Sequence, residues 1–349
     1  MNGLRFLLQV AVSLGVLAAF NGVLHLGAQR SLLQRNLRQI SNQASKAHCV
    51  MLGSSVAAAA FDPKAFAAAW PGTNPPASVN AAIGAATPVE RLLMARLVIR
   101  QATNSPVAIL GFFDFELTME PESHPSPPPP RRTSSPWWTF IGSMTLGFRM
   151  DSALAAEYYT GGSHWEYILF RIYRYIPMCL ERASTWGRVE RLRRVVGSLG
   201  LPNGITGQLG RADDFKILEA ESVEAFRAAC ARRLEARGDF IEPIIDRLCR
   251  ELRAADLQLI ILEMPASADH QSRFYSQPEW AAHRARLAAA VAERYQARYW
   301  VGSNWVPDIP GMWFDGVHVL PAGADQFSQR LANELVTAMP ELGRPVTRR

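Results

Sequence analysis

Short, uninterrupted apolar stretches recur along this chain, separated by longer segments whose apolar residues return at helical spacing. The apolar stretches are His48–Leu52, Val107–Gly111, Leu257–Met264 and Arg298–Val301, with Ser78-Val79-Asn80 as a shorter candidate. A strand apolar on both sides has both faces covered, which is the condition of a parallel sheet between helix layers. The intervening segments supply the helices. Ser55–Phe61 reads as the opening of one. Asp62-Pro63 reads as the N-cap and first residue of a second, through Trp70. Thr87-Pro88-Val89-Glu90 has the form of a capping box opening a helix to about Arg100. Further helices are expected near 221–236, 239–255, 279–294 and from Ala322 to about Met339. After Pro265 a loop is expected through Pro278.

Two regions break this rhythm. Residues 6–24 form an apolar run, and no charge lies between Arg5 and Arg30. That length suits a bilayer span of about 20 residues. It is long for a cleavable signal peptide, and no convincing small-x-small cleavage site follows, so residues 1–27 are expected to be a retained membrane anchor. Arg30, Arg35, Arg38 and Lys46 argue against Arg5 over orientation. The short N-terminal tail before a large C-terminal portion is the usual signal-anchor layout, which places the main domain periplasmic or otherwise extracytoplasmic. Residues 28–46 are polar and helix-compatible, a stalk. The second break is 119–218. From Ser123 to Pro130 every residue except His124 is Pro or Ser, the composition of a linker or exposed loop. From Trp137 to about Leu199 the sequence is helical and rich in aromatics, an insertion outside the alternating pattern that reads as a lid, a membrane-interface surface or a helical subdomain with its own small core. The α/β domain is then expected over 47–118 and 219–349.

Length and composition narrow the function classes. At 349 residues with 48% hydrophobic and 19% charged residues, the chain builds a sizeable core and is not disordered. The net charge of +6 comes from arginines scattered over helices and the C-terminal tail, with no basic run interleaved with aromatics, so nucleic acid is not an expected partner. Attraction to anionic lipid or polymer stays open. Cys49, Cys179, Cys230 and Cys249 form no pair with zinc-site spacing, and neither a metal nor a cofactor is expected.

The candidate chemistry lies in two stretches far apart in sequence. Trp313-Phe314-Asp315-Gly316-Val317-His318 puts a carboxylate three residues before an imidazole, between Pro310-Gly311 and Pro321. Such a carboxylate fixes the imidazole's tautomer and stabilises its protonated form. Val50-Met51-Leu52-Gly53-Ser54-Ser55 reads as a buried strand ending in a serine-bearing turn. In a parallel sheet, function sits beyond the carboxyl ends of the strands, where Ser55, Gly84 and Gly111 are expected. Each motif alone is also an ordinary turn.

Together these residues resemble the SGNH/GDSL hydrolase superfamily. Gly53-Ser54-Ser55 matches its Gly-Asp-Ser block, with Ser54 in the aspartate's place and Ser55 as the implied nucleophile. Gly84 fits the glycine whose N–H joins that of Ser55 in the oxyanion hole. The Gly-x-Asn-Asp block reads Gly111-Phe112-Phe113-Asp114, with Phe113 where the hole's asparagine stands. Asp315 and His318 match the closing Asp-x-x-His. Asn80 and Asn304 are candidate replacement donors, while Asp114 is a poor neighbour for an oxyanion unless it points away. The resemblance implies an α/β fold, flavodoxin-like and three-layer α/β/α, with a short parallel sheet and a helical insertion. Gly-Ser-Ser followed by Phe61-Asp62-Pro63 behind an anchor is similar to the branch that includes D-alanine transfer proteins and accompanies membrane O-acyltransferases. It implies a serine esterase or O-acyltransferase acting on an acylated glycan or envelope polymer, with a membrane-bound O-acyltransferase as a candidate partner and membrane lipid contacted through the N-terminal helix. The competing expectations are a catalytically weak protein of the same fold that partners such an acyltransferase, and an anchored binding domain whose Asp315/His318 pair is structural.

Overall fold

The computed structural model describes residues 32–71, 75–83, 86–102, 107–119, 223–235 and 240–343, with scattered positions between 9 and 19. The expected membrane span lies mostly, and the aromatic insertion entirely, outside the described residues. Among the described residues no helix is long and apolar enough to cross a membrane. The chain divides into two units, Met1–Gln39 with Pro127–Leu209, and Ile40–Ser126 with Gly210–Arg349; the second carries the α/β architecture.

Five parallel strands form one sheet: β1 (Cys49–Leu52), β2 (Ser78–Asn80), β3 (Val107–Phe112), β4 (Gln258–Glu263) and β5 (Arg298–Val301), in the order β2-β1-β3-β4-β5. This 2-1-3-4-5 order is that of flavodoxin-like doubly wound sheets. β1 and β3 are buried at every residue, as their unbroken apolar sequences require. Helices, numbered over the described residues, are α1 (Leu32–Ala44), α2 (Ser55–Ala60), α3 (Pro63–Ala69), α4 (Pro88–Gln101), α5 (Val223–Glu235), α6 (Pro243–Ala254), α7 (Ala268–His270), α8 (Pro278–Tyr295) and α9 (Pro321–Ala338). α4 and α6 pack together on one face of the sheet, and α9 packs on α2 and α3 on the other. The fold is a three-layer α/β/α sandwich.

Local signals act where they were expected. Asp62 caps α3, its carboxylate accepting the Lys64 N–H at 2.7 Å, and its own N–H donates to the Ser328 hydroxyl at 2.8 Å, which ties α3 to α9. Thr87 and Glu90 form the capping box of α4. The expected stalk ends as part of the α/β unit, because Ile40 and Ala44 near the end of α1 are buried. The segment after Pro265 differs from expectation. It forms α7 and then a π-helix over Gln271–Tyr275. Ser267 accepts the His270 N–H at 3.3 Å, and Gln271 donates to the carbonyls of Ala266 and Ser303 at 2.7 and 2.9 Å. These polar clamps stand in for the apolar periodicity that the segment lacks.

The segments after β3 and before α6 pair in a short neck, while α5, between them in sequence, packs on α8. Thr118 and Ile241 form an antiparallel bridge, with Met119 N–H donating to the Phe240 carbonyl at 2.9 Å and Glu242 N–H to the Leu117 carbonyl at 3.0 Å. His283 of α8 lies fully buried against this neck, its Nε2 3.3 Å from the Thr118 hydroxyl.

Candidate active site

Ser55 owes its position to Gly53. At φ +152° a side chain is strained, and a Cβ there would stand 2.6 Å from the Ala57 Cβ and 2.7 Å from the Gly111 carbonyl oxygen. The missing side chain lets the chain turn hard against β3 as it leaves β1. Ser54 is buried, and its carbonyl accepts the Ala58 N–H at 2.9 Å. Ser55 follows as the first residue of α2, half-buried at the carboxyl edge of the sheet.

His318 is positioned by a small hairpin after β5. Trp313 and Val319 form an antiparallel bridge, and Phe314 N–H donates to the His318 carbonyl at 2.8 Å. Inside the turn, Asp315 Oδ1 accepts the N–H groups of Val317 and His318 at 2.8 and 2.6 Å, the Asx geometry this residue favours. The tip is tied to the segment after β4, where Ser267 N–H donates to the Gly316 carbonyl at 2.9 Å. Asp315 Oδ2 then lies 2.8 Å from His318 Nδ1, and His318 Nε2 lies 2.9 Å from Ser55 Oγ. An ionised carboxylate only accepts, so Nδ1 carries the proton and Nε2 is free to accept from the serine hydroxyl. Burial works against the charge of Asp315. Hydrogen bonds from the His318 ring and from the Val317 and His318 N–H groups outweigh it and hold the carboxyl below its ordinary value.

The structure therefore brings Ser55, His318 and Asp315 into one hydrogen-bonded line across 263 residues of sequence. The chain matches no family model and no curated protein. What the arrangement offers chemically rests on its geometry: a hydroxyl whose proton has an acceptor, and an imidazole whose developing charge has a counter-ion.

The expected oxyanion donors are placed less simply. Gly84 lies outside the described residues. Gly111 sits one residue inside β3 rather than beyond it. Phe113, which the resemblance set where a hole donor was expected, is turned into the core. It is 6% exposed in the core, its ring centroid 4.8 Å from that of His270 and 6.3 Å from that of Tyr275. Asn80 is no replacement donor, because its Nδ2 already donates to the carbonyls of Ala58 at 3.1 Å and Phe61 at 2.7 Å. Both of its amide hydrogens are used to hold α2 against β2. Asn304 is exposed in the turn after β5. Among the described residues, no cluster of His, Cys, Asp and Glu is arranged to hold a metal.

One polar cluster has no signature in the sequence. Asp114, in the left-handed region at φ 45°, receives the Tyr275 hydroxyl at 2.8 Å and the His270 Nε2 at 3.2 Å on the same oxygen. Its neighbours are clamped as well. Phe113 N–H donates to Glu116 Oε2 at 3.1 Å, and Glu116 pairs with the buried Arg91 at 2.7 Å. Burial, then the Asp114 and Glu263 charges, push the Tyr275 phenol well above its ordinary value, so it stays a donor. The only hint available to sequence reasoning was a lone histidine in a segment without periodicity.

Proposed function

We propose that the protein is a serine-dependent esterase or O-acyltransferase of the SGNH/GDSL type, acting on an acylated cell-envelope polysaccharide or polymer. The observation that carries this reading is the unbroken line from Ser55 Oγ through the His318 ring to Asp315. Ser55 Oγ attacks the acyl carbonyl while His318 Nε2 takes its proton. The C–O bond to the leaving alcohol breaks as His318 returns that proton to it. Water, or a hydroxyl of a second sugar, then attacks the acyl-serine by the same route in reverse. Asp315 holds the imidazole's tautomer and balances the imidazolium. The N–H of Ser55, at the first position of α2 and without an intrahelical partner, is one oxyanion donor, and that of Gly84 is the second.

The apolar run of residues 6–24 supports a single-pass inner-membrane anchor with the α/β domain on the periplasmic side. Val12 and Val16, which belong to it, are 58% and 63% exposed. A membrane-bound O-acyltransferase is then a fitting partner. One observation favours a second reading, a weakly active protein that serves such a partner. The asparagine of the third block is replaced by a core phenylalanine, and loss of one hole donor typically costs about a hundred- to a thousand-fold in rate.

Covalent labelling by a fluorophosphonate, together with p-nitrophenyl acetate hydrolysis by the full chain, tests the proposal. Labelling is expected on Ser55 alone. Ser55→Ala and His318→Ala should each abolish turnover, with the double variant little worse than either, because such residues act as a unit. Asp315→Asn should fold normally yet lose most activity through the wrong tautomer. Wild-type turnover that survives Ser55→Ala refutes the enzyme reading and leaves the partner reading in place.

A further inference from the structure

The sheet carries two Asp–His pairs at its carboxyl end, and the proposed acyl chemistry uses only one. Asp315–His318 stands on the hairpin after β5. Asp114–His270 spans the ends of β3 and β4, with Asp114 two residues past the last of β3 and His270 on α7, which follows β4. β3 lies beside β1, the strand that delivers Ser55. With neighbouring strands about 4.8 Å apart, the ends of β3 and β5 from which the two pairs are carried lie roughly 10 Å apart across the sheet. The segments carrying them are joined directly by the Ser267 N–H to Gly316 carbonyl bond of 2.9 Å.

We infer that Asp114 and His270 form a second subsite, which hydrogen-bonds a hydroxyl of an uncharged glycan whose reacting hydroxyl lies a neighbouring sugar or two away at Ser55. The inference rests on the proposed acyl chemistry and names its substrate class as an extended neutral oligosaccharide rather than a small alcohol.

The two nitrogens of His270 carry the argument. Nε2 is occupied by Asp114. Nδ1 has no hydrogen-bond partner among the described residues, and the His270 side chain keeps 11% of its surface exposed. His283 shows the contrast. Its Nδ1 is also unpaired but buried, which marks a core histidine. The His270 ring cannot swing. Phe113, Phe274 and Tyr275 flank it with centroids at 4.8, 4.7 and 5.0 Å, and the Tyr275 hydroxyl fixes Asp114 from the other side. Two strained elements maintain this arrangement, the left-handed Asp114 and the π-helix that delivers Tyr275.

A hydroxyl is the matching partner. A neutral imidazole accepts its proton at Nδ1, and a protonated one donates to its oxygen, so the contact survives either state. The Asp114 carboxylate behind the ring disfavours an anion.

His270→Gln separates this role from a structural one. A glutamine amide reproduces the Nε2–H donor to Asp114 but has no Nδ1. With p-nitrophenyl acetate as donor and the full chain in detergent, acyl transfer is measured to cellotetraose and, separately, to methanol. The wild type should favour cellotetraose, and His270→Gln should lower the cellotetraose-to-methanol ratio about fivefold, the size of one neutral hydrogen bond. A ratio untouched by His270→Gln, or a wild type with no preference for cellotetraose, overturns the subsite. Imidazole 15N spectra of the Ser55→Ala protein decide the question without turnover. Cellotetraose should shift the His270 Nδ1 signal saturably, and more weakly in the Asp114→Asn background. Absence of a shift overturns the subsite. Absence of wild-type turnover alongside a saturable shift overturns only the acyl chemistry.

Discussion

Phe113→Asn is the substitution that the proposed acyl chemistry invites, because it would place an amide where the resemblance expects an oxyanion donor. The structure predicts the opposite result. Phe113 is 6% exposed and belongs to the main core cluster, with His270 and Tyr275 against its ring. Removing most of a buried phenyl ring costs about 3–5 kcal/mol through lost transfer energy and the cavity left behind. Placing an amide there without partners adds about 1–3 kcal/mol. A total near 5 kcal/mol is comparable to the whole stability of many domains, about 5–15 kcal/mol. For a unit of this size, each kcal/mol moves the midpoint by about 2–4 °C, so thermal unfolding should begin roughly 10–20 °C earlier. Phe113→Leu keeps the core apolar and should lose far less. Circular dichroism melts of the two variants beside wild type, with p-nitrophenyl acetate turnover at 20 °C as a second readout, test the reasoning. If Phe113→Asn melts within about 3 °C of wild type and gains activity, the side chain reaches the crevice and the core assignment is wrong.

Two further outcomes follow from other parts of the molecule. Burial, reinforced by the charges of Arg233, Arg286 and Arg284, lowers the His283 pKa to about 4, so the folded state keeps it neutral while the unfolded state takes a proton below about 6.5. Its contribution is complete above that upper value and drains away as pH falls toward the lower one, by up to about 3 kcal/mol, so urea midpoints should drop between pH 7 and 4.5, and less so in His283→Phe. The apolar run of residues 6–24 should keep the full chain in the pellet on alkaline carbonate extraction, and release into the soluble fraction removes the anchor from the proposal.

The fold was legible because buried parallel strands write themselves as short apolar runs with nothing polar inside. β1 and β3, buried throughout, lie within a residue of where the pattern put them, as does the partly exposed edge strand β5, and Asp62 and the Thr87–Glu90 box mark helix starts through bonds that their own side chains make. The strand order was not legible in the same way. It depends on which face each crossover helix packs, and that is settled between α4 and α6 and between α9 and α3, elements remote in sequence. The π-helix was missed for a different reason. Residues 267–277 carry no apolar period, and they are held by the Ser267 cap, by Gln271 reaching two carbonyls and by Tyr275 reaching Asp114.

The site divides along the same line. Gly53-Ser54-Ser55 and Asp315-Gly316-Val317-His318 are readable because each motif encodes its own local geometry, a turn only glycine tolerates and an Asx turn that places carboxylate and imidazole on one side. The Asp114–His270 pair spans 156 residues and encodes nothing locally. The resemblance to a Gly-x-Asn-Asp block says nothing of how Asp114 is used. It marked Phe113 as a missing donor and Asp114 as a hazard to an oxyanion. In the fold, Phe113 turns into the core and forms one wall of the His270 ring, while Asp114, bent at φ 45°, is engaged by two donors. This strand end thereby supports a second imidazole beside the first Asp–His pair. For that reason the informative substitution at this strand end is His270→Gln rather than the restoration of an asparagine.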